Sequence, residues 1–196
     1  TEKYSGRYRA DDSGRFRIDY AEPSRQLVVK TREALHWYFY DGNTMCVINE
    51  AARGGGTTAN PVRELLAHAG LRFTARYAGT HLSPLFRRVN HFIVEDKANG
   101  LRFTIITDAA RHVVERKIIT DARGYEIVHE HYGDYRLAGP ALFPHRVDVF
   151  TRTREGVTRN TTRYESVTLN RPLDSGIFAV PSFPGMKVRS IDADGR

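Results

Sequence analysis

Apolar and polar residues alternate along most of the 196-residue chain. Tyr4–Arg9 and Arg15–Tyr20 each place an apolar residue at every second position, and Asp11–Gly14 between them has the composition of a hairpin turn. A third run covers Leu27–Tyr40 and a fourth covers Met45–Ile48. Because successive side chains of a strand point to opposite faces, the pattern predicts four strands in an antiparallel meander.

The middle of the chain has a different pattern. Arg53–Thr58 contains three consecutive glycines and predicts a flexible loop. Within Pro61–Ala69, apolar residues recur at helical spacing, with Pro61 in the first turn and Gly70 after the last. The segment Pro61–Ala69 is therefore predicted to be a short amphipathic helix.

Alternating runs resume at Phe92 and continue to about residue 169. No linker divides the chain, so we expect one domain over residues 1–196. The pattern predicts a mainly β fold in which a single curved antiparallel sheet forms a half-open, unclosed β-barrel with one or few short lid helices. One short helix cannot cover the dry face of so large a sheet, and the hollow side should accept an apolar ligand. A two-sheet sandwich packed against itself is the alternative.

Alternation also selects candidate cavity residues. The apolar positions of the predicted strands that would line the hollow are Phe16, Ile18, Tyr20, Leu27, Val29, Leu35, Trp37, Phe39, Phe92, Val94, Phe103 and Ile105.

Composition excludes several classes of protein. Ten Tyr, ten Phe and one Trp exclude a disordered chain, and a single cysteine, Cys46, excludes an intrachain disulfide. The longest nearly apolar stretch, Ala34–Tyr40, is far shorter than the roughly 20 residues of a membrane-spanning helix. Because the chain begins at Thr1, we expect that an N-terminal segment such as a signal peptide, lid helix or lipid anchor has been removed.

The charge is basic, with 30 Lys and Arg against 23 Asp and Glu and a net charge of +7. The basic residues are scattered, and alternation puts Phe16 on the face opposite Arg15 and Arg17, which disfavours a nucleic-acid stacking surface. The excess is typical of solvated strand faces, and it would suit anionic lipid headgroups at the rim of the hollow.

Candidate chemistry is sparse. His129 and His131 share a strand face, as metal ligands on sheets often do, but no third ligand can be assigned. No HExxH, paired CxxC, Walker or GxSxG motif is present. We therefore expect no catalytic residues, no metal and no cofactor, while an enzyme using His129 or His131 stays as a minor alternative.

Several segments resemble the LolA/LolB-like outer-membrane lipoprotein carriers, and their order and spacing agree with that family from Gly14 to about Val188. The matching segments are Gly14–Pro23, Gln26–Val29, Pro61–Leu66, Tyr132–Arg136, Phe143–Val147 and Asn170–Asp174, followed by Phe178, Val180-Pro181 and Pro184-Gly185.

This resemblance implies an unclosed β-barrel with a polar convex face and an apolar concave face that helices shield. It implies non-enzymatic transport of a lipid or acylated lipoprotein in the periplasm or cell envelope, with envelope membrane proteins as further partners and peripheral membrane contact. Arg17 corresponds to the family's strand arginine, which implies a contact with the lid. The same fold also serves envelope sensors, so an interaction or sensor module that binds a protein partner is the second hypothesis.

Overall fold

The computed structural model describes residues 2–31, 33–49 and 73–191. The predicted loop 53–58 and the predicted helix 61–69 lie outside the described residues. Regular secondary structure in the described part of the chain consists of β-strands and one short 3₁₀ helix at Ser175–Phe178.

The first sheet is an antiparallel meander with one further strand, from the C-terminal segment, added at one edge. In spatial order it contains β1 (Ser5–Ala10), β2 (Phe16–Glu22), β3 (Gln26–Lys30), β4 (Ala34–Phe39), β5 (Thr44–Asn49) and β13 (Lys187–Ile191). Strand β13 runs parallel to β5, and every other neighbouring pair is antiparallel.

The second sheet is a continuous antiparallel meander of seven strands. They are β6 (Phe73–Leu82), β7 (Arg88–Asp96), β8 (Leu101–Asp108), β9 (Val114–Thr120), β10 (Glu126–Ala138), β11 (Ala141–Thr153) and β12 (Gly156–Arg163), each paired with the next. The runs that the sequence predicts overlap β7 to β12, whereas β6 lies before the first of them and was not predicted.

The mainly β, open architecture is confirmed: over residues 2–31, 33–49 and 73–191, neither sheet closes on itself. The strands nevertheless form two sheets in place of the predicted single sheet. Strand β13 pairs with the edge of β5 where a continuous sheet would have placed β6. The long third run is also two strands, because the Thr31 hydroxyl accepts the Ala34 amide (3.2 Å) and turns the chain between β3 and β4.

The chain divides into two compact units, one built on each sheet, and the C-terminal segment belongs to the first. The core of the first unit consists of Leu27, Val29, Tyr38 and Met45. Tyr40, Val47, Val180, Phe183 and Met186 pack against it. The organisation of residues 1–196 as one domain stays a prediction.

Candidate functional site

One face of the first sheet is apolar across several strands. The register places six predicted cavity residues there: Phe16, Ile18 and Tyr20 from β2, and Leu35, Trp37 and Phe39 from β4. A single row across the sheet contains Tyr8, Ile18, Val28, Trp37 and Cys46. We call this surface the first apolar face.

Part of the first apolar face is exposed to solvent, and Trp37 contributes to that part. Trp37 is 37% exposed and stacks on Phe39 with ring centroids 5.0 Å apart. The indole N–H donates to Gln26 Oε1 (2.9 Å), so its polar atom is satisfied at the sheet surface. The rings therefore offer apolar area without an unpaired indole donor.

Leu27 and Val29 do not belong to the first apolar face. Their cross-strand partners are Tyr38 and His36, which point to the opposite side of the sheet. Both are buried, at 1% and 0% exposure, in the core that the C-terminal segment covers. The twelve predicted residues therefore do not form one surface, and these two serve packing of the first unit.

The C-terminal segment is fastened onto that opposite face. Phe183 stacks on Tyr38 with a centroid distance of 4.7 Å. The Tyr38 hydroxyl donates to Asn43 Oδ1 (2.7 Å), and Asn43 Nδ2 donates to the Pro184 carbonyl (3.0 Å). The C-terminal segment thus packs over the face of the first sheet that lies opposite the first apolar face.

The second sheet also has an apolar face, and it brings together the other four predicted residues. Phe92 pairs with Ile105, and Val94 pairs with Phe103 on the neighbouring strand. Other apolar residues on this surface, which we call the second apolar face, are Phe73, Tyr77, Leu101, Ile119, Val128, Val147 and Val149. Phe92 is 36% exposed, while Val94 is buried.

An ion pair lies in the middle of the second apolar face. Lys117 Nζ is 2.7 Å from Glu130 Oε1, and both side chains are largely buried. The Tyr132 hydroxyl donates to Glu130 Oε2. Burial, followed by the hydrogen bond to Glu130, raises the pKa of Tyr132 above its ordinary value, which keeps the hydroxyl protonated.

Sequence reasoning missed this ion pair, although the pattern contained a signal. Lys117 stands two residues before Ile119, and Glu130 stands two residues after Val128, so both occupy apolar positions of their strands. A charged residue at such a position faces the dry side of a sheet.

The opposite face of the second sheet is mixed, with Ile93, Ile106, Ile118 and Phe150 among polar and charged side chains. His129 and His131 lie there as expected, with rings stacked at a centroid distance of 4.3 Å. Burial, then the neighbouring His129 and Arg116, lowers the pKa of His131. No group of three His, Cys, Asp or Glu side chains suited to a metal ion occurs within residues 2–31, 33–49 and 73–191.

Asp148 is the centre of an ion network on that face. It accepts hydrogen bonds from Thr161 (2.6 Å) and Arg159 (3.0 Å) and forms an ion pair with Arg146 (2.7 Å). Burial alone would raise the pKa of Asp148, but these partners lower it to about 2. The network anchors strands β11 and β12.

Arg17 points away from the first apolar face. It forms an ion pair with Asp19 (2.7 Å) and donates to the carbonyl of Ile177 (3.2 Å) in the 3₁₀ helix. The hydrogen bond to Asp19 raises the pKa of Arg17. The predicted lid helix lies outside the described residues, so the contact of Arg17 with a lid stays a prediction.

Solved structures share this fold at low sequence identity. A domain from Vibrio parahaemolyticus that is described as an outer membrane lipoprotein-sorting protein superposes with a TM-score of 0.63 at 10% identity. The match covers 89% of this chain and 81% of that one. A LolA-superfamily protein from Nitrosomonas europaea gives 0.61 at 11% identity, covering 90% and 81%. A DUF1329-family protein from Desulfovibrio piger gives 0.61 at 10% identity, covering 89% and 79%.

The fold is therefore LolA-like, as the sequence motifs predict. No protein-family model matches the chain, and no curated protein matches it. In the part of the chain that the structure describes, no helix has the length and apolarity needed to cross a membrane.

Proposed function

We propose that this protein binds the acyl chain of a lipid or acylated lipoprotein in the cell envelope and carries it without chemical change. The observation that supports this most directly is the first apolar face, whose aromatic rings stay partly exposed while the opposite face is packed under the C-terminal segment. Exposed aromatic residues that lie together on one face of a folded domain are a candidate binding site.

Energetics favour an acyl chain as the occupant. Transfer of one methylene from water to an apolar surface contributes about 0.8 kcal/mol, so ten methylenes contribute roughly 8 kcal/mol before ordering costs. Such a ligand needs no catalytic group. Periplasmic or envelope location, lipoprotein cargo and contact with envelope membrane proteins belong to the same proposal, which the LolA-like fold supports.

The second candidate is an interaction or sensor module with a protein partner. A depression of about 600 Å³ on the first unit is lined by Arg7, Arg9, Arg17 and Asp19, and its net positive charge favours an acidic partner. This function predicts purification without bound lipid, together with a protein complex that dissociates above about 0.15 M salt.

Trp37 makes the acyl-chain proposal directly testable, because it is the only tryptophan and lies on the first apolar face. A monoacylglycerol with a brominated acyl chain, added below its micelle concentration, should quench Trp37 fluorescence in a saturable way. The unbrominated compound should displace the probe and restore the signal.

A pair of variants locates the binding surface. Phe39→Glu adds a charge beside Trp37 on the first apolar face, where its cross-strand neighbours Gln26 and Thr44 are neutral, and should weaken quenching at least tenfold. Val188→Glu adds the same charge to an exposed position on the opposite face and should bind like the wild type. Absence of quenching in the wild type, or equal binding by Phe39→Glu in a correctly folded state, would refute the proposal.

A further inference from the structure

The ion pair on the second apolar face has apolar neighbours along its own row. Ile105, Lys117, Glu130 and Val149 are successive cross-strand partners on β8, β9, β10 and β11. Lys117 is only 8% exposed. Two charges in such a setting lose hydration, and their mutual attraction offsets that loss only when geometry and further hydrogen bonds are good.

The ammonium group of Lys117 can form more hydrogen bonds than the fold supplies. It carries three donors. Among the described residues its one hydrogen-bonding or ionic partner is Glu130. Glu130 is already engaged at both oxygens, since Oε1 contacts Lys117 and Oε2 accepts from Tyr132. The group therefore presents donors to an acceptor that comes from outside the sheet.

We propose that Lys117, oriented by Glu130 and Tyr132, binds the carbonyl oxygen of an acyl ester or amide. This inference rests on the proposed function and names the ligand class that it selects. The hydrocarbon would run from Lys117 across Ile105 and Phe92 towards Tyr77, which are partners on consecutive strands. Neighbouring strands lie about 4.8 Å apart, so this path extends roughly 14 Å over apolar side chains.

Charge determines which carbonyl compound fits. The Lys117–Glu130 pair is neutral as a whole, and a neutral ester or amide adds no charge to a water-poor surface. An ionised fatty acid would place a second carboxylate beside Glu130, and like charges repel strongly where water is excluded. The site should therefore prefer esterified or amide-linked chains to free fatty acids.

The test compares monolauroylglycerol with laurate at pH 8, both below their micelle concentrations, by displacement of a fluorescent acyl probe. The wild type should bind the ester at least tenfold more tightly than laurate, the size expected when a hydrogen bond to a charged group is gained. In Lys117→Met/Glu130→Gln, which keeps side-chain volume and removes both charges, the ester should bind at least tenfold more weakly than it binds the wild type, because the hydrogen bond from Lys117 is lost.

A second variant reverses the charge balance. Glu130→Gln leaves the Lys117 cation without its carboxylate, so laurate should become the tighter ligand. The matched control is Arg102→Met/Glu95→Gln, which removes an exposed ion pair (3.1 Å) from the opposite face of the same sheet and should keep the wild-type preference. Circular dichroism melts establish that each variant is folded.

The outcomes separate the two proposals. If the wild type binds both ligands equally, the ion pair is structural and this inference is wrong while acyl binding stands. The same conclusion follows if the double variant keeps the wild-type affinity for the ester and Glu130→Gln keeps the wild-type preference. If the wild type binds neither ligand and its Trp37 is not quenched by brominated chains, the proposed function fails as well.

Discussion

Asp148 shows how a single carboxylate contributes to stability here. Its pKa in the folded protein is about 2, against an ordinary value of 3.8. A carboxyl group with a lowered folded-state pKa stabilises the protein above its unfolded-state pKa, and this contribution is lost as pH falls from 3.8 towards 2. The difference corresponds to about 2 kcal/mol at neutral pH.

Asp148→Asn should therefore lower the free energy of unfolding by about 2 kcal/mol at pH 7, because Arg146 and Arg159 lose their anion. Urea denaturation at pH 7 and near pH 2.5 measures this. The difference in free energy of unfolding between the wild type and Asp148→Asn should be markedly smaller at the lower pH. A deficit of the same size at both values would mean that the ion network does not account for the pKa.

Residue-level prediction from the sequence succeeded where one face of a strand is clearly polar. Phe16, Ile18 and Tyr20 alternate with Arg17 and Asp19, and the structure places them on opposite faces as expected. It failed for Leu27 and Val29, because β3 has buried residues on both faces and alternation could not distinguish them. Lys117 and Glu130 were missed because charged residues were assumed to face solvent.

At the level of elements, the C-terminal segment is the least predictable part of the first unit. The turn at Asp11–Gly14 is local, and the structure confirms it: Asp11 Oδ1 accepts the amides of Ser13 and Arg15 at 3.0 Å. The parallel pairing of β13 with β5 joins residues about 140 positions apart. One sequence contains no signal for a pairing so remote, so the predicted single sheet became two.

Phe183 provides a test of how much that segment stabilises the first unit. Phe183→Ala removes the ring that stacks on Tyr38 and packs on the core, and should cost about 2 kcal/mol, less than a fully buried Phe because the ring is only partly buried. Chemical denaturation followed by Trp37 fluorescence measures it. Leu85→Ala, at an exposed turn, should change stability by less than 0.5 kcal/mol or so.

An unchanged midpoint in Phe183→Ala would show that the segment does not stabilise the sheet. The core of Leu27, Val29, Tyr38 and Met45 would then be stable without the packing of the C-terminal segment.

At the scale of the whole molecule, the prediction of one domain can be tested through the position of the single tryptophan. Trp37 reports on the first unit, whereas Ile106 is buried in the second. Ile106→Ala should destabilise its own sheet by about 2 to 4 kcal/mol. If the chain unfolds as one domain, the Trp37 transition should move to lower denaturant by the same free energy.

A Trp37 transition that stays in place while far-ultraviolet circular dichroism shows an earlier loss of strand would contradict the one-domain prediction. The two units would then unfold independently. That outcome would leave the assignment of each apolar face unchanged, because each face is defined by the register within its own sheet.

The central claim, that the apolar faces bind acyl chains, is tested most directly by native mass spectrometry of the protein as purified, followed by solvent extraction and lipid analysis. We expect a bound mass that matches an acyl lipid, and we expect the fraction of protein that carries it to fall in Trp37→Arg, which places a cation in the middle of the first apolar face. A protein of unliganded mass that also takes up no added monoacylglycerol would contradict the claim and would favour the interaction module.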